Sequence, residues 1–457
     1  MGRLFGTDGV RGKANEDLTA ELALDVSVAA AHVLAETGLF GGHTPLAVVG
    51  RDPRASGEFL EAAVVAGLAS AGVNVIRLGV LPTPGVAFLT ASTGADLGVM
   101  LSASHNPMPD NGIKFFARGG TKLDDALEDA IEGRVGESWS RPTGAGVGRV
   151  IDDPALVETY VAHLVSSLDN PTSLEGLKVV IDCANGGGYL TGPGAFEVQG
   201  AEVVAIHSTP DGVNINESCG STHPEDLQAA VVSLGADLGI ALDGDADRCL
   251  AVDATGALVD GDQILAILAV AMRDAGQLRG NTVVGTVMSN LGFIHAMDAQ
   301  GIAVRQTQVG DRYVLESMNA HNYSLGGEQS GHVVMADHAT TGDGVLTGLH
   351  LMNRMASTGK TLAELAAVMT RLPQVLINVR DVDKNRANSD PRLNEAVAAA
   401  SAELGSQGRV LLRPSGTESV VRVMVEAQTA EDAGRVAEEL AAVVKSTLGA
   451  VGTPSSS

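Results

Sequence analysis

At 457 residues the chain is too long for one hydrophobic core, so two to four domains are expected. Hydrophobic residues make up 45%, which excludes a disordered chain, and aromatics at 3% leave the cores to be built from Ala, Val, Leu and Ile. A net charge of −25 with no run of Lys or Arg excludes a nucleic-acid-binding face, although a local cluster of Arg, Lys and backbone N–H groups can still hold a small phosphate.

Met1–Arg11 lacks the apolar core of a signal peptide, and no run of about 18 apolar residues is free of Pro and charge. No membrane span is predicted, and the cytoplasm is the expected compartment. Cys183, Cys219 and Cys249 are odd in number and far apart, which argues against a disulfide framework and against structural zinc.

In chain order, Leu46–Gly50 reads as a buried strand, Gly57–Ala71 as an amphipathic helix and Val73–Leu78 as another strand. Gly136–Gly148, rich in Gly, Ser and Pro, reads as a surface excursion. Leu177–Ile181, Val203–Ile206, Thr282–Val287 and Ile302–Val304 continue the alternation of short apolar runs with helical stretches, the pattern of βαβ units. A repeat lies inside this pattern. Gly94–Leu101 followed by Ser102-Ala103-Ser104 aligns without a gap on Gly235–Leu242 followed by Asp243-Gly244-Asp245. Two domains of one fold are inferred, their equivalent strands ending in Ser104 and Asp245, where open α/β sheets bind ligands. A weaker third copy ends near Tyr323–Leu325, with Gly326–His332 as its loop. After about Thr370 the pattern changes to short strands at Val375–Val379, Val410–Leu412 and Val421–Val425, a polar loop at Asp381–Pro391 and an Ala-rich helix at Thr429–Thr447, a smaller α+β domain. Gly452–Ser457 reads as a frayed tail.

Four motifs carry the chemistry. Ser102–Pro107 (SASHNP) places Ser104 beside His105 at a strand end; a serine becomes a nucleophile when its charge is stabilised and a base is near, and the competing reading is a polar helix-capping turn. Asp243–Arg248 (DGDADR) sets carboxylates at alternate positions after a buried strand, oxygen ligands for one hard cation. An EF-hand is excluded, because Arg248 and Ala254 stand where that loop needs Gly and Glu. In Arg413–Glu418 (RPSGTE), Pro414 and Gly416 shape a turn in which Arg413, Ser415 and Thr417 can surround an anion. In Gly327–His332 (GEQSGH), Glu328 and Ser330 can bond sugar hydroxyls. Arg11, Lys114, Arg248 and Arg312 are nearby basic residues, each of which can equally be an ordinary ion pair.

Together with Phe5–Gly12 (FGTDGVRG), Gly50–Gly57 (GRDPRASG), Asn111–Phe115 (NGIKF) and Val309–Val314 (VGDRYV), these motifs in this order resemble the α-D-phosphohexomutase superfamily over nearly the whole chain. Within it, SASHNP, VGDRYV and GEQSGH resemble the amino-sugar branch more than the phosphomannomutase/phosphoglucomutase branch. The resemblance implies three duplicated α/β domains with mixed, largely parallel sheets and a C-terminal α+β domain around a central cleft, divided at 1–155, 156–255, 256–370 and 371–451. It implies that Ser104 carries an activating phosphate and that Asp243, Asp245, Asp247 and the phosphoserine hold one Mg²⁺. It further implies that Arg413, Ser415, Gly416 and Thr417 grip the substrate phosphate, and that Arg248, Glu328 and Ser330 contact substrate. Arg11, His105 and Lys114 are unranked candidates for proton transfer or phosphate stabilisation. Two departures are Ala246 where relatives often have Gly, an exchange that costs about 1 kcal/mol in a left-handed backbone, and Ser102 where they often have Thr.

The implied reaction interconverts glucosamine 6-phosphate and glucosamine 1-phosphate through a 1,6-bisphosphate intermediate of the same sugar, with glucosamine or glucose 1,6-bisphosphate as activator, feeding UDP-N-acetylglucosamine and cell-wall precursor synthesis. No nucleic acid or membrane partner is expected, and a homodimer is compatible with the resemblance. The rivals are a phosphomannomutase/phosphoglucomutase, a metal-dependent sugar phosphatase and a non-catalytic sugar-phosphate or cation-binding protein. An aspartyl-phosphatase loop needs Thr or Val where Asp247 stands.

Overall fold

The structure, a computed structural model, describes residues 3–6, 8–38, 42–168, 171–415 and 419–449. The chain divides into one unit of residues 1–288 and 300–368 and a second of 289–299 and 369–457.

The first unit holds three sheets. The first is eight-stranded, running from Phe5–Gly6 through Gly9–Lys13, Asp110–Ala117, Leu97–Leu101, Leu46–Arg51 and Asn74–Val80 to Val150–Asp152, with Thr121–Lys122 paired to Asp110–Ala117. The second has five strands around Lys178–Asp182 and Leu238–Leu242, the third four around Thr282–Thr286 and Leu325–Gly327. Each centre is a run of apolar residues buried on both faces, as strands covered by helices require: Leu97–Leu101, Leu238–Leu242 and Thr282–Thr286 are buried throughout. Their helices begin where the sequence supplies caps. Thr19 accepts from the Leu22 N–H, Asp343 caps Gly344–Thr358, and Asp260 with Gln263 forms a capping box on Gly261–Asp274.

The repeat read in the sequence is a repeat of topology. Leu97–Leu101 lies between a parallel strand, Leu46–Arg51, and an antiparallel one, Asp110–Ala117. Leu238–Leu242 lies likewise between Lys178–Asp182 and Cys249–Asp253, and Leu325–Gly327 between Thr282–Thr286 and Val333–Met335. The third copy, faint in sequence, therefore follows the same plan. Backbone bonds tie the Asp243–Arg248 loop and its following strand to segments of the other two domains. The Thr83 N–H donates to the Asp245 carbonyl at 3.0 Å, the Cys249 N–H to the Gly331 carbonyl at 2.9 Å, and the Gly344 N–H to the Ala246 carbonyl at 2.9 Å. Gly331 permits its contact: its φ is +93°, and a Cβ there would lie 2.3 Å from the Cys249 carbonyl oxygen.

The second unit is a three-stranded antiparallel sheet, Gln374–Arg380, Val420–Glu426 and Arg409–Pro414, packed by Pro391–Leu404 and Ala430–Leu448 over a core of Val and Ala. The helix Pro391–Leu404 is not among the predicted elements, although Asp390 caps it, Pro391 opens it and Leu393, Ala396, Val397, Ala400 and Leu404 pack into the core at helical spacing. Residues 416–418, within RPSGTE, and the 452–457 tail lie outside the described residues.

One buried contact makes a pH prediction. Tyr160 donates to Asp343 at 2.8 Å, and burial pushes the Asp343 carboxyl from its ordinary 3.8 to about 6. Ionisation is thus disfavoured in the folded state, so this group's favourable contribution is present below pH 3.8 and is lost as pH rises towards 6. The difference corresponds to about 3 kcal/mol at 1.36 kcal/mol per pH unit. Wild type is expected to lose stability relative to Asp343→Asn as pH is raised from about 4 to 6, read by denaturant melts; a constant offset would contradict this.

Candidate active site

The serine loop is stiffened by its own polar groups. Ser102 donates its hydroxyl to Asp52 at 2.6 Å and accepts the Ser104 N–H at 3.0 Å, so the hydroxyl common to Ser and Thr is used. Ser104 sits in the left-handed region at φ +52° and is buried. Its Oγ donates to Asp243 Oδ2 at 2.5 Å and lies 3.3 Å from His105 Nδ1. Domain-separated residues of the sequence are thereby brought into contact.

Asp243, Asp245 and Asp247 converge with ligand oxygens within 4.8 Å of one another, all three buried. Ala246 takes φ +54°, the strained position foreseen for the residue between the last two carboxylates. The Arg248 N–H donates to Asp243 at 3.2 Å. Burial, then the charges of Asp247 and Asp245, push the Asp243 carboxyl well above the ordinary carboxylate range. Asp245 Oδ1 and Asp247 Oδ1 are buried without a hydrogen-bond partner. Orphaned carboxylate oxygens turned on one point are what a hard divalent cation relieves, so the residues present fit such an ion.

Around the triad runs a chain of alternating charge. Lys114 bonds Asp245 at 2.8 Å and Asp8 at 2.7 Å. Asp8 also takes Lys122 at 2.7 Å and Arg11 at 2.6 Å, and Lys122 continues to Asp311. His332 closes the chain, 3.9 Å from Asp311 and 3.6 Å from Asp247. Burial opposes ionisation of Asp8, but Lys114, Lys122 and Arg11 outweigh it and hold its carboxyl well below the usual range. Burial likewise opposes the Lys114 charge, but Asp245 and Asp8 outweigh it and raise the ammonium pKa, so Lys114 is a fixed cation. Burial is again outweighed at Asp247, which His332, Lys114 and Arg248 keep ionised, and at His332, whose pKa Asp247 and Asp311 raise. His105 is opposite in kind: burial, then Arg248 and Arg11, lower it to about 4, so its ring is neutral at pH 7.

Part of this set faces a cleft of about 510 Å³. Ser104, His105, Arg11, Asp247 and Arg248 line it from one side, and Gly310, Glu328 and His332 from another. Glu328 accepts the Gly310 N–H at 3.0 Å, which joins the VGDRYV and GEQSGH segments. Ser330, half-buried, lies two residues further along the same loop. Arg312 lines a different cavity and pairs with Asp125, Glu128 and Glu316, the ordinary ion-pair outcome. Sequence reading missed the roles of Asp8, Lys122, Asp311 and His332. Three of them lie inside quoted motifs, but a lone acid or imidazole in a motif does not announce its partner.

In the second unit, Arg413 stands directly across the strand pair from Arg422. Burial, then Arg422, lower the Arg413 pKa, and the Arg422 Nε is buried without a hydrogen-bond partner. Lys384 donates to the Ser415 carbonyl at 2.7 Å. Two facing guanidiniums with a lysine beside them suit an anion, since like charges opposed across strands otherwise repel. Gly416 and Thr417 lie outside the described residues.

Models of the phosphoglucomutase/phosphomannomutase family match four successive stretches: α/β/α domain I at residues 2–141, domain II at 158–256, domain III at 260–372 and the C-terminal domain at 376–443. The chain belongs to this family. Its curated relatives are narrower in kind. It is 68% identical to a phosphoglucosamine mutase of Cutibacterium acnes and 70% identical to one of Streptomyces griseus, covering 98% of this chain and 100% of the relative in both cases. Among solved structures, a phosphoglucomutase/phosphomannomutase family protein of Burkholderia thailandensis shares the fold at TM-score 0.81 and 24% identity over 97% of each chain. An Aspergillus fumigatus N-acetylphosphoglucosamine mutase, in complex with GlcNAc-6P and magnesium, does so at TM-score 0.70 and 19% identity, over 97% of this chain and 95% of that one. Among the described residues no helix is long and apolar enough to cross a membrane.

The triad sets a binding prediction. Mg²⁺ at about 100 times its Kd is expected to stabilise the fold by about 2.7 kcal/mol, visible as a raised melting midpoint that chelator reverses. Asp245→Asn with Asp247→Asn is expected to abolish the shift, and a wild type that does not respond to any divalent cation would refute the site.

Proposed function

We propose that this protein is an isomerase that interconverts glucosamine 6-phosphate and glucosamine 1-phosphate, with Ser104 as the phosphoryl carrier. The observation that carries the reading is the contact of Ser104 Oγ with Asp243 at 2.5 Å, at the mouth of a buried carboxylate triad. Two residues near the ends of equivalent strands in different sheets have no structural reason to meet unless the chemistry needs both. The sugar is taken from the near-full-length likeness to phosphoglucosamine mutases.

In the first half-reaction the phosphoryl group leaves Ser104 Oγ for the free hydroxyl oxygen of the sugar monophosphate. The sugar loses its hydroxyl proton and Ser104 regains one, giving a hexosamine 1,6-bisphosphate. The second half-reaction runs this in reverse on the other phosphate. His105 is the group placed to exchange the Ser104 proton, being neutral at pH 7 and 3.3 Å from Oγ. Lys114, a fixed cation on Asp245, places positive charge beside the transferring group and does not act as a base. Arg11 and Arg248 line the cleft, where guanidiniums suit phosphate oxygens. Glu328 and Ser330 are assigned to the sugar hydroxyls, and Arg413, Ser415, Gly416 and Thr417 to the non-reacting phosphate. Asp243, Asp245 and Asp247, an all-oxygen donor set, would hold a Mg²⁺ beside Ser104, and the ion would supply charge neutralisation for the transferring group. Catalytic 1,6-bisphosphate is expected to restore phosphate to a dephosphorylated Ser104.

Ser104→Ala is expected to reduce turnover at least about 10³-fold, consistent with loss of a covalent nucleophile, with the melting midpoint nearly unchanged. The check is a coupled assay on glucosamine, glucose and mannose phosphates, primed with 1,6-bisphosphate. A preference for mannose phosphates would refute the sugar assignment, and release of free phosphate as the main product would make the protein a phosphatase.

A further inference from the structure

We propose that Asn216 is a positioning residue that pins the Ser104 loop of the first sheet onto the metal loop of the second, sharing this task with Arg54. The inference rests on the reading of Ser104 as phosphoryl carrier.

Ser104 at φ +52° holds a backbone conformation that residues other than Gly seldom adopt, so its surroundings must impose it. The fixing points are two carbonyl oxygens, those of Ser104 and Asn106. Arg54 Nη2 donates to both, at 3.0 and 2.9 Å. Asn216 Nδ2 donates to the same two, at 2.9 and 3.0 Å. Two NH₂ groups thus bridge one pair of acceptors from two directions. Both neighbours of the Asn216 amide are acceptors, so only its nitrogen can face them.

The two donors come from different domains. Arg54 stands at the N-cap of the helix Ala55–Ser70, is fully buried and is fixed by Asp52 at 2.9 Å. Asn216 lies on the connection between strand Glu202–Ile206 and helix Glu225–Leu234, in the second domain. It is itself left-handed at φ +57°, and its N–H donates to the Ala184 carbonyl at 2.9 Å, which fixes the side chain's origin. Gly244 of the metal loop completes the arrangement. A Cβ there would lie 2.5 Å from the Ser104 carbonyl oxygen and 2.8 Å from Asn216 Nδ2. The serine loop, the Asn216 amide and the metal-loop backbone are therefore in direct contact, and this contact sets Ser104 Oγ at 2.5 Å from Asp243. Without Asn216 the two carbonyls keep only Arg54, and the second domain's hold on the backbone of the serine loop is lost, leaving the Ser104 Oγ–Asp243 bond without that brace. A misplacement of about 1 Å at a reacting group costs about a hundredfold in rate.

The test compares Asn216→Ala with the isosteric Asn216→Asp, which turns an oxygen towards two carbonyl oxygens. Both are expected to lower kcat, Ala by about tenfold to a hundredfold and Asp further, with KM within about twofold of wild type. Packing alone predicts the reverse order, because Asp keeps the shape of Asn. Unchanged kcat in either folded variant, or Asp more active than Ala, would overturn the proposal. Should the Asn216 variants not fold, Gly244→Ala is expected to reproduce the loss of kcat by lifting the metal loop off the Ser104 carbonyl, and unchanged kcat there would overturn it. Intact-mass measurement of phosphate transfer from glucose 1,6-bisphosphate to Ser104 separates the two layers. A wild type that takes no phosphate at Ser104 overturns the carrier reading and the pin with it, whereas a labelled wild type matched in rate by Asn216→Asp overturns the pin alone.

Discussion

Three carboxylates cannot share one buried loop unless positive charge meets them, and much of the first unit is arranged to answer that demand. Asp243, Asp245 and Asp247 lie within reach of a single ion, with their mutual repulsion expressed in the raised Asp243 pKa. The protein supplies part of the compensation itself, through Lys114 on Asp245 and His332 near Asp247. Those cations are buried too, and need their own counter-charges. Asp8 and Asp311 provide them, and Lys122 ties the two together. The result is a closed alternation of charge that passes through strands and loops of all three α/β domains. What remains unmet is one oxygen each of Asp245 and Asp247, buried without a hydrogen-bond partner, a donor set that fits a hard cation.

This electrostatic arrangement sits on a plainer geometric one. Three sheets of the same local plan each send a loop from the carboxyl end of a central strand. The loops begin at Ser102, Asp243 and Glu328, carrying a buried serine, a triad of carboxylates and a glutamate. Duplication explains how one fold places three unlike chemistries around one cleft, because the backbone supplies position and the loop supplies function. The two reactive loops each hold one residue other than Gly in the left-handed region, Ser104 and Ala246. Both are braced by contacts across domain boundaries, Ser104 by Asn216 and Ala246 through its carbonyl by the Gly344 N–H. Strain is thus held where the chemistry is, by packing that neither domain provides alone.

The chain itself carried a good deal of this in readable form. Short apolar runs such as LGVML and LGIAL, each between a Gly-Ala turn and a polar loop and alternating with helical stretches, read as strands buried on both faces, so the α/β class and the loops at their ends were legible from period and composition. The alternate carboxylates of DGDADR and the serine beside a histidine state their chemistry locally, because each motif is contiguous and its function depends on spacing along one loop. The helix Pro391–Leu404 was missed because exposed Ala398, Ala399 and Ala402 blur the contrast with its packed face of Leu393, Val397 and Leu404.

Tertiary structure decided what depends on partners far apart in sequence. Lys114 looked like a candidate for proton transfer, but contact with Asp245 and Asp8 makes it a permanent cation. His105 looked equivalent to Arg11, but burial beside Arg248 and Arg11 leaves it neutral and able to accept a proton. Asp8, Asp311 and His332 lie inside motifs and Lys122 and Asn216 outside them, but none names its partner locally; their parts exist only through side chains as far as 189 positions away. Sequence determined which groups are present and which elements carry them, because hydrophobic period and motif spacing are local quantities. Charge state, orientation and contact are properties of the three-dimensional neighbourhood, set by burial and by the nearest opposite charge, and only the folded chain supplies those.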